Sequence, residues 1–200
     1  MSNASNSLLV CSVQDRIAVL TLTDPPKRNA MSLALRKELM ACLQKLESLD
    51  EADAIIITGD GDKSFSAGAD INEVATRTPA KELSIEAQLR RELPRLIETM
   101  RIPTIAAING YCLGAGLELA LACTLRIASN NAILGLPEIN LGVIPGSGGT
   151  QRLIRFVGLG RAMELITIGE PISADEALRI GLVNKVCAPE ELSLIHISEP

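Results

Sequence analysis

The sequence predicts one α/β domain, and three observations predict it. Short, wholly apolar runs at residues 54–58 (AIIIT) and 104–108 (TIAAI) read as strands buried on both faces. Between such runs, Leu35, Leu39, Leu43 and Leu46 recur at helical spacing and give a helix with one buried stripe. Of the 200 residues, 47% are hydrophobic and only 2% aromatic, so the core is aliphatic and large enough for a single domain.

Each element follows from local signals. IAVLTL at residues 17–22 is a strand, ended by Asp24, Pro25 and Pro26. Ser32 caps the leucine-striped helix, which runs to Leu49. After the strand at 54–58, GDGDKSFSAGAD at 59–70 reads as a loop rich in Gly, Asp and Ser. A charged helical stretch covers residues 80–100, broken at Pro94. The strand at 104–108 ends in an Asn109-Gly110 turn, and a helix begins around residues 114–116. LRIAS at 125–129 and AILG at 132–135 are short strands about an Asn130-Asn131 turn. Residues 146–158 and 160–169 read as short helices ended by glycines. Ser173 with Glu176 makes a capping-box pattern before a helix at 175–182. The order β-α-β-loop-α-β-α-β-β-α has no visible sequence repeat and no linker that would divide it.

Composition excludes several functions. A net charge of -5 argues against a broad nucleic-acid surface. No apolar stretch reaches the roughly 18 residues of a membrane span, and the start lacks a basic patch followed by an apolar core. The 5 cysteines are scattered without a CxxC, which fits a reducing, cytoplasmic compartment. The single histidine, His196, leaves no His-based metal site, Ser-His-Asp triad or Cys-His dyad. Acid–base chemistry therefore falls to Asp, Glu, Lys, Tyr or Cys. GDGDKS has Asp62 where a phosphate loop needs Gly, and GAGLEL has Leu119 at the third glycine of a dinucleotide fingerprint. Asp60 and Asp62 lack the frame of an EF-hand loop, and PGSGG around Ser147 is no nucleophile elbow.

The informative stretch is LGAGLELALAC at 113–123, where Glu118 stands in an apolar run just after Gly114, Ala115 and Gly116. Small residues at a helix start let a ligand approach the backbone, and the first-turn amides attract negative charge. FSAGADINE offers a second such backbone segment after a buried strand. Two amides from two loops converging on one oxygen would form an oxyanion hole for an enolate. Glu138, between Pro137 and an apolar run, is a second carboxyl that suits a general-acid/general-base pair with Glu118. The plain alternatives are an exposed Glu118 on an amphipathic helix, a loop charge at Glu138, and glycines that serve packing alone.

With these residues in view, FSAGADI, AAINGYCLGAGLELALAC and LGLPEINLGVIPGSGGTQRL closely resemble the enoyl-CoA hydratase/isomerase (crotonase) family, and PPKRNAMS matches its early turn. The likeness covers residues 8–188, as one acyl-CoA-binding catalytic domain. It implies a crotonase-like spiral of repeated ββα units, assembled as a homotrimer or hexamer. It implies that Glu118 and Glu138 are catalytic and that the Ala69 and Ala115 amides form the oxyanion hole. Ser66, Ala67, Gly68, Ala69, Asp70, Ile71, Asn72, Gly114 and Ala115 would contact the acyl-CoA, with Lys27 and Lys63 as lesser candidates for its phosphates. Having both glutamates implies an enoyl-CoA hydratase, in which water adds to a trans-2-enoyl-CoA through a thioester enolate. No cofactor is implied beyond the coenzyme A of the substrate, and no nucleic acid or membrane partner.

The alternatives are an enoyl-CoA isomerase or another crotonase-type lyase, a shortened acyl-CoA-binding subunit without turnover, and RNA binding, which the acidic charge disfavours. Thr124 stands where the family usually has Asp, which puts one local hydrogen bond in question. Residues 189–200 are expected to be an atypical or shortened end, in place of the family's C-terminal helices.

Overall fold

The computed structural model describes residues 7–76, 78 and 80–192. Six strands form the larger sheet in the order β1-β2-β3-β5-β7-β10. These are β1 (Leu9–Gln14), β2 (Ile17–Leu22), β3 (Ala54–Gly59), β5 (Thr104–Ile108), β7 (Leu125–Ser129) and β10 (Lys185–Cys187). A smaller sheet, ordered β4-β6-β8-β9, holds β4 (Ser64–Ser66), β6 (Tyr111–Leu113), β8 (Ile133–Gly135) and β9 (Ile172–Ser173). Among the described residues, only β1 with β2 and β8 with β9 pair antiparallel.

The helices are α1 (Leu33–Leu49), α2 (Ile71–Ala75), α3 (Ile85–Thr99), α4 (Ala115–Ala122), α5 (Gly149–Ile168), α6 (Ala174–Arg179) and α7 (Pro189–Leu192). The chain repeatedly passes from a strand of the larger sheet to a strand of the smaller one and then to a helix. It does so through β3, β4 and α3, through β5, β6 and α4, and through β7, β8 and α5. This is the expected spiral of ββα units.

The core lies between the larger sheet and α1, α3 and α4. Leu35, Leu39, Leu43 and Leu46 are buried, as their spacing predicts, and pack in one cluster with Leu20, Leu22, Ile55, Ile57 and Ile108. Ser32 Oγ accepts from the Leu35 amide at 3.2 Å and caps α1. The helix pair at 146–169 is one run in contact but kinked at Gly158, whose φ of 75° interrupts it.

Several elements differ from the expectations. Residues 59–70 are not all loop, because β4 pairs in parallel with β6. α3 runs through Pro94 rather than breaking there, since the burial of Leu93 and Ile97 on either side holds the helix together. Ser173 Oγ accepts from the Glu176 amide at 3.3 Å, but the Glu176 carboxylate turns to Arg161 and Arg179, so only half of the capping box forms. Thr124 does supply a local bond. Its Oγ1 accepts from the Thr104 amide at 3.2 Å, while Thr104 Oγ1 accepts from the Thr124 amide at 3.1 Å. Of the expected atypical end, 193–200, with His196, lies outside the described residues; residues 189–192 form α7.

Leu39→Ala removes a wholly buried side chain from the α1 stripe. It should cost about 2–5 kcal/mol in urea unfolding, with an unchanged denaturant slope. Leu49→Ala, at a half-exposed position of the same helix, should stay within about 0.5 kcal/mol.

Candidate active site

The smaller sheet brings the two glycine-containing segments side by side. Gly116, in the first turn of α4, lies against Ser66, and a Cβ there would sit 2.6 Å from the Ser66 carbonyl oxygen. No larger residue fits, so the glycine sets how closely the segment after β4 approaches the start of α4. A Cβ on Gly68 would lie 3.8 Å from the Ala115 nitrogen, which shows the two loops meeting at this point.

Ala115 is the first residue of α4, so helix geometry gives its amide no partner within the helix. Ala69 forms an isolated parallel bridge with Met31 in which the Met31 amide bonds the Gly68 oxygen at 2.8 Å. That register turns the Ala69 amide away from Met31. Ala69 and Ala115 line one cavity of about 150 Å³, together with Ala67, Gly68, Ile71, Gly114, Glu118 and Glu138.

Glu118 is 2% exposed. Its Oε1 accepts from the Ser147 amide at 2.7 Å and the Gly149 amide at 2.8 Å. A Cβ on Gly149 would meet Glu118 Oε1 at 3.1 Å, so the loop needs glycine to come this close. The loop is itself pinned: Arg152 donates to the Ser147 oxygen at 3.0 Å and to Glu98 Oε2 at 2.8 Å. Burial raises the Glu118 pKa, opposed by the Gly149 and Ser147 amides and the Arg36 charge.

Glu138 reaches the cavity from a short 3-10 turn, Pro137–Leu141. Its Oε1 lies 3.1 Å from where a Gly114 Cβ would be. Among the described residues, its buried Oε2 has no hydrogen-bond partner. Burial, with the neighbouring Glu118 charge adding to it, pushes Glu138 up to about 7. A carboxyl that titrates near neutrality beside a second buried carboxyl can hold or give up a proton at working pH.

The other candidate residues divide. Ala67, Ala69, Asp70, Ile71 and Asn72 line a neighbouring surface cavity of about 380 Å³, with Lys27. Asp70 Oδ1 accepts from the Asn72 amide at 2.9 Å and caps α2, and its Oδ2 lies 3.4 Å from Lys27 Nζ. Lys63 lines neither cavity. Ser66 is fully buried beneath the loop, away from both linings, where its Oγ accepts from the Gly68 amide at 3.4 Å.

Arg28, Arg36 and Arg152 escape the sequence reading. Arg28 joins Lys27 at the surface cavity, and Arg36 lines the carboxylate cavity although it sits among the α1 leucines. Among the described residues, no group of three or more His, Cys, Asp or Glu could hold a metal ion, and no helix is long and apolar enough to cross a membrane.

A spiral of ββα turns that presents two small-residue backbone segments and two carboxyls, one buried and one half-buried, to one cavity defines a crotonase-type acyl-thioester protein. A model of the enoyl-CoA hydratase/isomerase family matches residues 12–198. The chain is 46% identical over 189 residues to a short-chain-enoyl-CoA hydratase of Clostridium acetobutylicum, covering 92% of this chain and 70% of that protein. It is 45% identical over 184 residues to a crotonyl-CoA hydratase of Syntrophomonas wolfei, with 92% and 70% covered. The crystal structure of an enoyl-CoA hydratase from Bacillus anthracis superposes with a TM-score of 0.90 at 40% identity, covering 95% of this chain and 74% of that one. The chain belongs to the enoyl-CoA hydratase/isomerase family.

The raised Glu138 carboxyl makes stability depend on pH. Between its ordinary value of 4.5 and about 7, the unfolded chain releases this proton while the folded chain keeps it. Folding stability carried by this group is therefore full below pH 4.5 and lost as pH rises towards 7. Denaturant midpoints measured across that window should show Glu138→Gln losing less stability with rising pH than the wild type.

Proposed function

We propose that this chain is an enoyl-CoA hydratase, a lyase that adds water reversibly to a trans-2-enoyl-CoA to give a 3-hydroxyacyl-CoA. The observation that carries the reading is the pair of carboxyls, buried Glu118 and half-buried Glu138, facing one cavity beside the amides of Ala69 and Ala115. The hydratase names of relatives at 45–46% identity support it.

In this reading the thioester oxygen lies against the Ala69 and Ala115 amides. These gain strength as negative charge develops on that oxygen, with the α4 dipole behind Ala115. The two amides on Glu118 Oε1 favour its anion, so Glu118 is the base that takes a proton from water. The water oxygen bonds to C3 of the enoyl group. Glu138, which holds its proton up to about 7, gives that proton to C2. Solvent returns the pair to its starting state. The surface cavity at residues 67–72 receives the adenine end and pantetheine arm, with Lys27 and Arg28 near the phosphates.

No cofactor enters the reaction, because coenzyme A arrives on the substrate. The reading includes a cytoplasmic site and a homotrimeric or hexameric assembly. Exposed Ile144, Leu159 and Ile168 are apolar surface of the kind that an assembly covers.

Loss of the enoyl-thioester absorbance of crotonyl-CoA measures the hydration. Glu118→Gln and Glu138→Gln should each lower kcat by about 10²–10⁴ with native circular dichroism. A wild type that moves the double bond of a 3-enoyl-CoA without hydrating crotonyl-CoA would instead be an isomerase.

A further inference from the structure

Away from the active site, the edge strand β1 meets α1 at two cysteines. Leu9 opens β1 and is buried in one cluster with the α1 leucines. Side chains alternate along a strand, so Cys11 shares the face of Leu9. Its antiparallel partner across the ladder is Leu20, which is fully buried in that same cluster. Residues directly opposite each other in a ladder share a face, so Cys11 also points towards α1. On α1, Glu38 Oε2 accepts from the Leu8 amide and from Ser7 Oγ, both at 3.0 Å. Cys42 lies one turn beyond Glu38 on the same helix face and packs half-buried against the core cluster. The Glu38 bonds and the packing of Leu9 thus lay β1 along α1 and bring Cys11 to Cys42.

The two thiols are close enough to act on each other. Burial pushes the Cys42 thiol up to about 12, and the Cys11 side chain adds to the rise by hydrogen bonding and by charge, against an opposing effect of Lys45. Both thiols are free, and Cys11 is exposed, whereas Cys112, Cys123 and Cys187 are buried.

We infer that Cys11 and Cys42 form a redox modification site, which a disulfide oxidant such as oxidised glutathione converts into a reversible tether between β1 and α1. The Cys11 thiolate attacks one sulfur of the oxidant, and the first glutathione leaves and takes up a proton. Capping Cys11 removes its charge, one of the causes that hold the proton on Cys42. Cys42 then gives that proton to solvent, its sulfur attacks the Cys11 sulfur, and the second glutathione leaves and is protonated in turn. The chain loses two electrons and two protons, and the oxidant becomes two thiols. In a reducing compartment the pair stays open, and it closes when the surrounding disulfide pool rises. Closure links positions 11 and 42 around a segment that holds Lys27, Arg28 and Met31, whose amide bonds the Gly68 oxygen beside the active-site cavity.

Mass spectrometry of the intact folded protein after incubation with oxidised glutathione tests this. The wild type should lose two hydrogens, yield a linked peptide pair containing Cys11 and Cys42, and return to its starting mass in dithiothreitol. Cys42→Ser should stop at one glutathione on Cys11, and Cys11→Ser should stay unmodified. A wild type that keeps glutathione on Cys11, forms a covalent dimer or does not react overturns the inference. So does a loss of two hydrogens that survives in either serine variant. If a variant does not fold, the wild-type peptide map decides alone.

Discussion

The site depends on the bonds from the Ser147 and Gly149 amides to one oxygen of Glu118. A carboxylate buried to 2% exposure would otherwise be driven to its neutral form. The amides oppose that drive with fixed dipoles, and they do so from a loop just before α5. Because the loop carries the donors, its position becomes chemistry. Arg152 holds the Ser147 carbonyl and reaches across to Glu98 on α3. Four segments, α3, α4, α5 and the loop, thus share one electrostatic arrangement.

A second constraint is steric. The approach of the segment after β4 to the start of α4 is set by the absence of a side chain at Gly116. The parallel pairing of β4 with β6 aligns those two segments, and the helix start then places Ala115 at its first turn. The smaller sheet is slight, but without it the two amide-bearing loops would have no common reference. Its strands serve the core as well, since Phe65, Cys112 and Leu134 are wholly buried in the same cluster as the α1 leucines.

Burial and element length explain what was legible in the sequence. β3 and β5 are apolar but for Thr58 and Thr104 because both faces are largely covered, and α1 shows its stripe because one face is. β4 and β6 have three residues each, too few for a period to appear. β1 is missed because its burial pattern is not alternating: only Leu9 is buried. The ββα repeat is invisible because its turns share geometry and not residues. Glu118 and Glu138 could be singled out because a carboxyl in an apolar run is chemically odd. Ser66 read as a contact residue because its neighbours are, whereas the strand turns its side chain beneath the loop. Arg36 left no signal, since an Arg beside a leucine stripe looks like an exposed helix position.

Arg36 also bears on how the cavity tolerates two acids. Two carboxyls in one dry cavity raise each other's cost, and the structure answers unequally. Glu118 receives two amides and feels the Arg36 charge, whereas among the described residues the Glu138 side-chain Oε2 is buried without a hydrogen-bond partner. Burial raises both carboxyls, but at Glu118 two amides and a cation oppose the rise, whereas Glu138 keeps its proton to about 7. A symmetrical pair would share a proton and divide no labour. The asymmetry comes from backbone and from a cation on α1, neither of which is a reacting group. Arg36, buried on α1 and lining the same cavity, steadies the anion of Glu118 by its charge without touching the reacting atoms.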